Sequence, residues 1–254
     1  MEFPVKEENG FKYIEEGQGQ VLLLLHGLMG ALSNWEKVIL EFRSRYRVII
    51  PMLPIYEMPL LTTGVKSLAK HVHKFIKFKK LDQVTLLGNS LGGHVALILT
   101  ISHPEDVKAL ILAGSSGLYE NSFGGSFPRR ESYDFIKEKT EFTFFDPATA
   151  TKELVDEVFA TVNDRNRVIR ILAMAKSAIR HNMSKDLYKI TIPVSLIWGK
   201  NDRVTPPEVA EEFHQLLPNS ELNWVDKCGH APMMEQPEEF NIYLNRFLTR
   251  ILLK

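Results

Sequence analysis

The stretch "TLLGNSLGGHVAL", residues 85–97, sets Ser90 between glycines where an apolar run gives way to a segment of helical composition. The pattern G-x-S-x-G at a strand-to-helix junction holds a serine on a sharp turn with its hydroxyl exposed, and its neighbours must be small because backbone segments pass close by. A serine is a weak nucleophile by itself. The chain must therefore also supply a histidine base, an acid to orient it, and donors for the oxyanion that attack on a carbonyl creates.

On either side of this junction, short runs rich in Val, Ile and Leu recur: "QVLLLLHG", "RVIIPMLP", "QVTLLG", "VKALILAG" and "VSLIWG". Their continuous apolarity predicts strands covered on both faces, and hence a parallel sheet. Segments of helical periodicity separate them: "NWEKVILEFRSR", "KSLAKHVHKFIKF" and "LGGHVALILTIS". This alternation predicts an α/β fold, an open and doubly covered sheet with its chemistry at the C-terminal ends of the strands. After "VSLIWGKNDRV", Thr205 is expected to cap a helix, with Pro206 at its first position and Glu208 completing a capping box, which puts Asp202 on a short strand-to-helix loop. The last helix is expected from Pro237, with Phe240, Tyr243, Leu244, Phe247, Leu248 and Ile251 as its apolar stripe.

Between residues 117 and 189 the strand rhythm stops. A loop rich in Gly, Ser and Phe leads into "ESYDFIKEKTEF", "KELVDEVFATV" and "RNRVIRILAMAKSAIR", and in the last of these Val168, Ile171, Leu172, Ala175 and Ile179 fall on one face. The expected organisation is a core of residues 1–116 and 190–254 with a helical cap inserted as residues 117–189.

The 254 residues suffice for one large α/β domain with a substantial core. Lys plus Arg and Asp plus Glu both total 31, so no charge imbalance argues for nucleic acid, an anionic membrane or a polyanionic substrate. A small, weakly charged molecule is the expected ligand. Cys228 is the only cysteine, which excludes an internal disulfide and suits a reducing compartment. The stretch "MEFPVKEENGFKYIEEG" lacks the apolar core of a secretory signal, and no apolar run is long enough to span a bilayer. These features predict a soluble, cytoplasmic chain without membrane insertion, needing no metal and no cofactor.

For the base, His230 stands out in "CGHAPMMEQP", between the last expected strand, "SELNWV", and the last helix. Asp202 in "GKNDRVTP" is the candidate acid, with Asp186 and Asp226 as alternatives. The chain order Ser90, Asp202, His230 is the one expected for a strand-turn-helix nucleophile in this architecture. The backbone N–H groups of Leu28, in "HGLMG", and Leu91 are the candidate oxyanion donors. His26 is read as a structural hydrogen-bonder. His71 and His73 lie two apart, on different helix faces, and make no metal pair. Cys228 is read as a packing residue.

In order, "HGLMG", "GNSLGG", "GKNDRVTP" and "GHAPMMEQPEEF" resemble the α/β-hydrolase family over essentially the whole chain. The resemblance implies a mostly parallel sheet of about eight strands with a helical cap over the pocket. Within the family the chain is similar to small esterases and to meta-cleavage-product hydrolases, which cleave carbon–carbon bonds in dienoates with the same triad. "NSLGG" and "FFDPATATKELVDEVF" carry the second likeness. Two positions depart from it: the cap arginine used on the dienoate carboxylate falls at about Val158, and the tryptophan after the histidine is Ala231. Arg165 or Arg167 could substitute as the cap cation. The serine at position 90 argues against dehalogenase and epoxide hydrolase chemistry, which relatives perform with an aspartate. In "PMLPIYEMPLL", Met52, Ile55 and Glu57 replace an aspartate and two glycines, and this bulkier loop is expected to pack against the cap.

The expectation is a serine hydrolase cleaving a carboxylic ester of a small or medium, largely apolar substrate. A carbon–carbon hydrolase is the alternative, and a non-catalytic ligand sensor a more distant one. Phe123, Phe127, Phe142, Phe144 and Phe145 are candidates to line the pocket, with Gly124 and Gly125 as a hinge. The apolar cap surface leaves a homodimer open.

Overall fold

The computed structural model describes residues 3–29, 35–121 and 129–252. Eight strands are found among them: β1 (Lys6–Glu8), β2 (Phe11–Glu16), β3 (Gln20–Leu25), β4 (Tyr46–Pro51), β5 (Val84–Asn89), β6 (Val107–Ala113), β7 (Val194–Gly199) and β8 (Ser220–Val225). They form one sheet in the order β1-β2-β4-β3-β5-β6-β7-β8, in which β2 pairs antiparallel with both β1 and β4 and every other pairing is parallel. The β1–β2 hairpin was not placed from its residues. It turns at Asn9 and Gly10, both at positive φ (50° and 78°), and Asn-Gly is the pair such a turn favours.

The period of two along each strand divides the core. Leu23, Leu25, Leu86, Leu110, Leu112 and Leu196 face one side, where α2 (Val65–Phe78), α3 (Leu91–Ser102) and α7 (Pro207–Leu216) cover them. Leu22, Leu24, Leu87, Ile111 and Ile197 face the other, under α1 (Glu36–Phe42) and α9 (Pro237–Leu252), which follows the single turn α8 (Pro232–Glu235). In α9 the expected stripe is in place, with Phe240, Leu244, Phe247, Leu248 and Ile251 buried. Each such side chain contributes about 1.5–3 kcal/mol by leaving water.

Between β6 and β7 the chain passes through α4 (Tyr133–Glu141), α5 (Lys152–Asn163) and α6 (Arg165–Arg180). Each begins at a capping side chain: Ser132 accepts from the Phe135 N–H, Thr151 from Leu154, and Asp164 from Asn166 and Arg167. Ile136, Val162 and Val168 form a small cluster among them. The ends of the segment are tied by the Met183 N–H donating to the Gly117 carbonyl at 2.8 Å.

Two local expectations are corrected. α7 begins at Pro207 with Pro206 before it, and Thr205 does not cap it. The Thr205 hydroxyl is engaged by Asp202 instead, and a charge-assisted hydrogen bond outcompetes a neutral cap. On α6, Ile179 is 48 % exposed, while Met174 and Ala178 are buried with Val168 and Ile171. The helix turns about 100° per residue, so Ile179 lies one step round from the buried Ala178.

Candidate active site

Ser90 sits between β5 and α3 at φ 52° and ψ −120°, a backbone conformation that costs a non-glycine residue about 1–3 kcal/mol and persists only when its surroundings enforce it. Those surroundings are main chain. The Ser90 N–H donates to the Ala113 carbonyl at 3.2 Å, and the Ser90 carbonyl accepts from Gly93 (3.0 Å), His94 (3.2 Å) and Ser116 (3.1 Å). A Cβ on Gly88 would fall 2.5 Å from the Gly93 Cα, so strand and helix close on each other only through glycine. The fold thus holds the Ser90 side chain at the head of the sheet, on the wall of a cavity.

Asp202 follows β7 and His230 follows β8, the next strand over. His230 Nδ1 lies 2.9 Å from Asp202 Oδ2. The same oxygen accepts from the Thr205 hydroxyl at 2.8 Å, and Oδ1 accepts from the N–H groups of Val204 (2.8 Å) and Thr205 (2.9 Å). With its oxygens so occupied, the carboxylate orients the imidazole: Nδ1 carries the proton donated to Asp202, and Nε2 is left with its lone pair. Burial pulls the His230 pKa down, but the Asp202 charge and hydrogen bond, with Glu120 and Glu235 behind them, more than reverse this and leave it above its ordinary value. The alternative acids are engaged elsewhere, Asp186 with Lys189 at 2.5 Å and Asp226 with Lys200 at 3.7 Å.

The backbone of His230 is fixed as firmly as its ring. Its N–H donates to the Thr143 carbonyl (3.0 Å), and its carbonyl accepts from the Asn89 side chain (3.2 Å). Glu235 accepts from the N–H groups of Phe145 (2.6 Å), Gly229 (2.9 Å) and Ala231 (3.4 Å), and burial pushes its pKa up. Gly114, at φ 51°, closes the site from β6: a Cβ there would stand 2.7 Å from the His230 carbonyl oxygen and 3.2 Å from Asp202 Oδ2. Thr205, Asn89, Glu235 and Gly114 were not read as site residues from the sequence. For Asn89 and Gly114 the signal was their place at the C-terminal ends of strands next to the serine.

Leu28 and Leu91 both line the cavity beside Ser90. Leu91 is the first residue of α3, so its N–H has no intrahelical acceptor. The turn carrying Leu28 is held by His26, whose Nε2 accepts from the Leu53 N–H (3.1 Å) while Nδ1 donates to the Gly27 carbonyl (2.9 Å). Burial pulls the His26 pKa down, consistent with this neutral tautomer. The "PMLPIYEMPLL" loop packs onto both sides: the Tyr56 hydroxyl donates to the Leu28 carbonyl (3.4 Å), and the Met58 carbonyl accepts from Arg170 of α6 (2.8 Å).

The cavity is about 170 Å³ and largely apolar, walled by Met29, Ile136, Leu154, Val158, Ile171, Leu172, Ala175 and Ala231 among others. Val158 and Ala231, the two positions of departure from the carbon–carbon hydrolases, both face it. Of the candidate phenylalanines, Phe144 lines it; Phe142 and Phe145 do not, being 42 % and 41 % exposed. The guanidinium of Arg203 lies over the Phe142 ring, 5.3 Å from its centre, on the outside. Phe123, Phe127, Gly124 and Gly125 lie outside the described residues. Arg165 and Arg167 are not on the wall; Arg167 covers the Tyr56 ring at 5.4 Å. Lys139 and Glu120 are the charged side chains among the described lining residues, apart from His230. Burial raises the Glu120 pKa against the opposing effects of a hydrogen bond from Ser116 and the nearby His230. Cys228 is buried, and burial, then Glu235, push its thiol well above the usual range, so it packs. No helix among the described residues is long and apolar enough to cross a membrane.

Comparison with known proteins places the fold. A 2-hydroxy-6-oxo-6-(2'-aminophenyl)hexa-2,4-dienoic acid hydrolase of Metapseudomonas resinovorans is 31% identical over 261 residues, covering 94% of this chain and 87% of that one. Lipase 1 of Psychrobacter immobilis is 25% identical over 245 residues, 89% of this chain and 77% of the lipase. Among solved structures, an alpha/beta hydrolase enzyme from the metagenome of sediments from the lagoon of Mar Chica, Morocco, is 48% identical and superposes with a TM-score of 0.81 over 97% of this chain and 98% of its own. Residues 20–237 match the family model described as the alpha/beta hydrolase fold, and the chain belongs to that family of hydrolases.

Proposed function

We propose that this chain is a serine hydrolase cleaving a carboxylic ester of a small or medium, largely apolar substrate through an acyl-enzyme. The observation that carries the reading is the apolar cavity at which Ser90, His230 and the chain at Leu28 and Leu91 meet. Its volume, about 170 Å³, slightly exceeds the ~150 Å³ of an engineered apolar cavity that holds benzene, which suits a short acyl chain or a single ring. In this mechanism Ser90 Oγ attacks the carbonyl carbon and gives its proton to His230 Nε2. Asp202 stabilises the imidazolium, and the N–H groups of Leu28 and Leu91 bind the oxyanion. His230 then protonates the leaving alcohol, and water, activated by the same imidazole, resolves the acyl-enzyme. The segment 117–189 acts as the lid whose inner face selects the acyl group.

Lys139 supports a second reading. A dienoate carries a carboxylate, and Lys139 is a cation on the wall that could receive it. Against this stand Val158 and Ala231 in place of the resembling enzymes' arginine and tryptophan, and the Glu120 carboxylate on the same wall. The test is a series of p-nitrophenyl esters of increasing acyl length beside a dienoate ring-cleavage product of similar size. Ester hydrolysis is expected to be the faster, with kcat/KM peaking at short to medium chains. A dienoate consumed faster than every ester, with the preference abolished in Lys139→Ala, reverses the assignment.

A further inference from the structure

α2 and α6 both carry basic residues and no acid. Along α2, Lys66, Lys70, Lys74 and Lys77 follow at steps of four, four and three, which keeps them within about 80° of one another around an axis that turns about 100° per residue. They form an exposed row about 16 Å long, opposite the face on which Leu68, Val72, Phe75 and Ile76 are buried. Lys77 is paired with Asp106 at 2.5 Å, whereas Lys66, Lys70 and Lys74 have no ion-pair partner among the described residues.

The row continues across to α6. The Val65 N–H donates to the Ser177 hydroxyl at 3.2 Å, and a Cβ on Gly64 would fall 2.7 Å from the same oxygen, so α2 begins pressed against α6. An open groove runs along this seam, lined by Leu61, Lys66, Lys176, Arg180 and His181 among others. Lys176 and Arg180, about one turn apart, are exposed and likewise without an ion-pair partner among the described residues. Beside the groove the single turn Leu60–Thr62 holds two leucines outward: Leu61 is fully exposed and Leu60 is 47 % exposed. Of the nearby acids, Asp186 feels Lys66 but is held by Lys189 at 2.5 Å, and Glu57 lies toward His71.

Equal totals of acid and base in the sequence conceal this segregation. A chain of zero net charge has no general attraction to anions, so unpaired cations gathered on one face act as an orienting patch. Cations alone would suit any polyanion. The leucines decide the partner: a fully exposed leucine gains nothing from a phosphodiester chain in water and is buried favourably among acyl chains, while lysine and arginine stems reach over apolar surface and keep their charges at headgroup level. We propose that this face, from Lys74 through Lys66 to Lys176 and Arg180 with Leu60 and Leu61 beside them, docks peripherally on an anionic lipid bilayer. The leucines enter the headgroup layer, and the cations lie against its phosphates. α6 then has two duties, since Ile171, Leu172 and Ala175 line the active-site cavity while Lys176 and Arg180 line the groove. Docking holds the cavity close to a layer in which apolar molecules concentrate, whichever bond Ser90 attacks.

The experiment is flotation of the protein with vesicles of phosphatidylcholine alone or of phosphatidylcholine mixed with phosphatidylglycerol. The parent should float with the mixed vesicles only, at about 0.1 M salt, and be released at about 1 M, where the screening length has fallen from about 10 Å to about 3 Å. Lys66→Gln/Lys70→Gln should weaken the partition by about 25-fold, at about fivefold for each cation near the surface. Lys37→Gln/Arg246→Gln removes as much charge from α1 and α9, on the opposite face of the sheet, and should float as the parent does. Leu61→Ser should weaken vesicle binding several-fold. All these variants should keep the parent Tm, being changed only at exposed positions. The proposal is overturned if the parent does not float with the mixed vesicles at the lower salt, or if the two charge variants lose binding equally. It is also overturned if a single-stranded oligonucleotide binds the parent more tightly than the vesicles do and Leu61→Ser binds both unchanged, which would make the face a polyanion site.

Discussion

The two sides of the cavity are built by opposite means. At the head of the sheet, each group that could react is fixed largely through backbone atoms: Asp202 by two backbone N–H groups beside the Thr205 hydroxyl, His230 at its own N–H by the Thr143 carbonyl and at its own carbonyl by the Asn89 side chain, Ser90 by four backbone contacts around one strained residue. Across from it, the wall contributed by α4, α5 and α6 is made of helix faces, where a position such as Ile171 or Val158 faces the cavity because of how its helix is rotated. A backbone-held group tolerates almost no displacement, whereas a helix face tolerates exchange of one apolar side chain for another. Changes at the first side should therefore remove turnover and spare the fold, while changes at the second should re-tune substrate choice.

The strongest test of that contrast is Ser90→Ala, which should reduce ester turnover by about 10⁶-fold with Tm near the parent value, and Asp202→Asn, which should cost about 10⁴-fold by misorienting His230. Undiminished hydrolysis by Ser90→Ala would falsify the proposed nucleophile. Gly114→Ala comes next. Its Cβ would press on the His230 carbonyl and on the Asp202 carboxylate at an unfavourable φ, so a loss of about 1–3 kcal/mol in stability and about 100-fold in kcat is expected, measured by melting and steady-state kinetics. A Gly114→Ala enzyme with full kcat would show that the head of the sheet yields more than its contacts suggest.

The same contrast explains what could be read from the sequence. The parallel strands, the meeting of Asp202 with His230 and the final helix are all legible, because each is written in local periodicity or in a motif whose spacing the backbone enforces. Thr205 was misread because "DRVTPP" carries a helix-start signature, and only the fold shows that Asp202 reaches its hydroxyl first. Phe142, Phe144 and Phe145 could not be told apart, since three phenylalanines within four positions at a helix end carry no period that decides which one turns inward. Glu120 and Thr143 act on His230 across long stretches of chain, and nothing near them in sequence announces the pairing.

Glu120 offers a gentler test, since it couples the two sides electrostatically. The His230 pKa is held above its ordinary value, and the proposed mechanism needs the neutral imidazole, so kcat/KM should rise with pH along a limb whose midpoint lies above that of a free imidazole. Stability follows the opposite course: the contribution from charged His230 is complete below the unfolded value of 6.5 and is lost as pH rises through the folded pKa. Glu120→Gln removes one of the negative charges holding that pKa up, so the acid limb of the kcat/KM profile should move to lower pH while the Asp202 contribution remains. A limb that stays in place would mean that Glu120 is screened from the imidazole.

The smallest expected effect divides the helical wall itself. Ile171 and Ile179 lie on the same helix and were assigned to the same face, yet Ile171 is buried on the cavity wall and Ile179 is 48 % exposed. Ile171→Val removes one methylene from a packed surface and should cost about 0.5–1.5 kcal/mol while shifting the preferred acyl length upward by enlarging the cavity. Ile179→Ser should stay within about 0.5 kcal/mol of the parent and leave the acyl-length profile unchanged. The informative quantity is the difference between them, read by denaturant melts and the ester series on one preparation. If Ile179→Ser moves the profile as far as Ile171→Val does, then α6 rotates during turnover, and its outer face takes part in substrate choice.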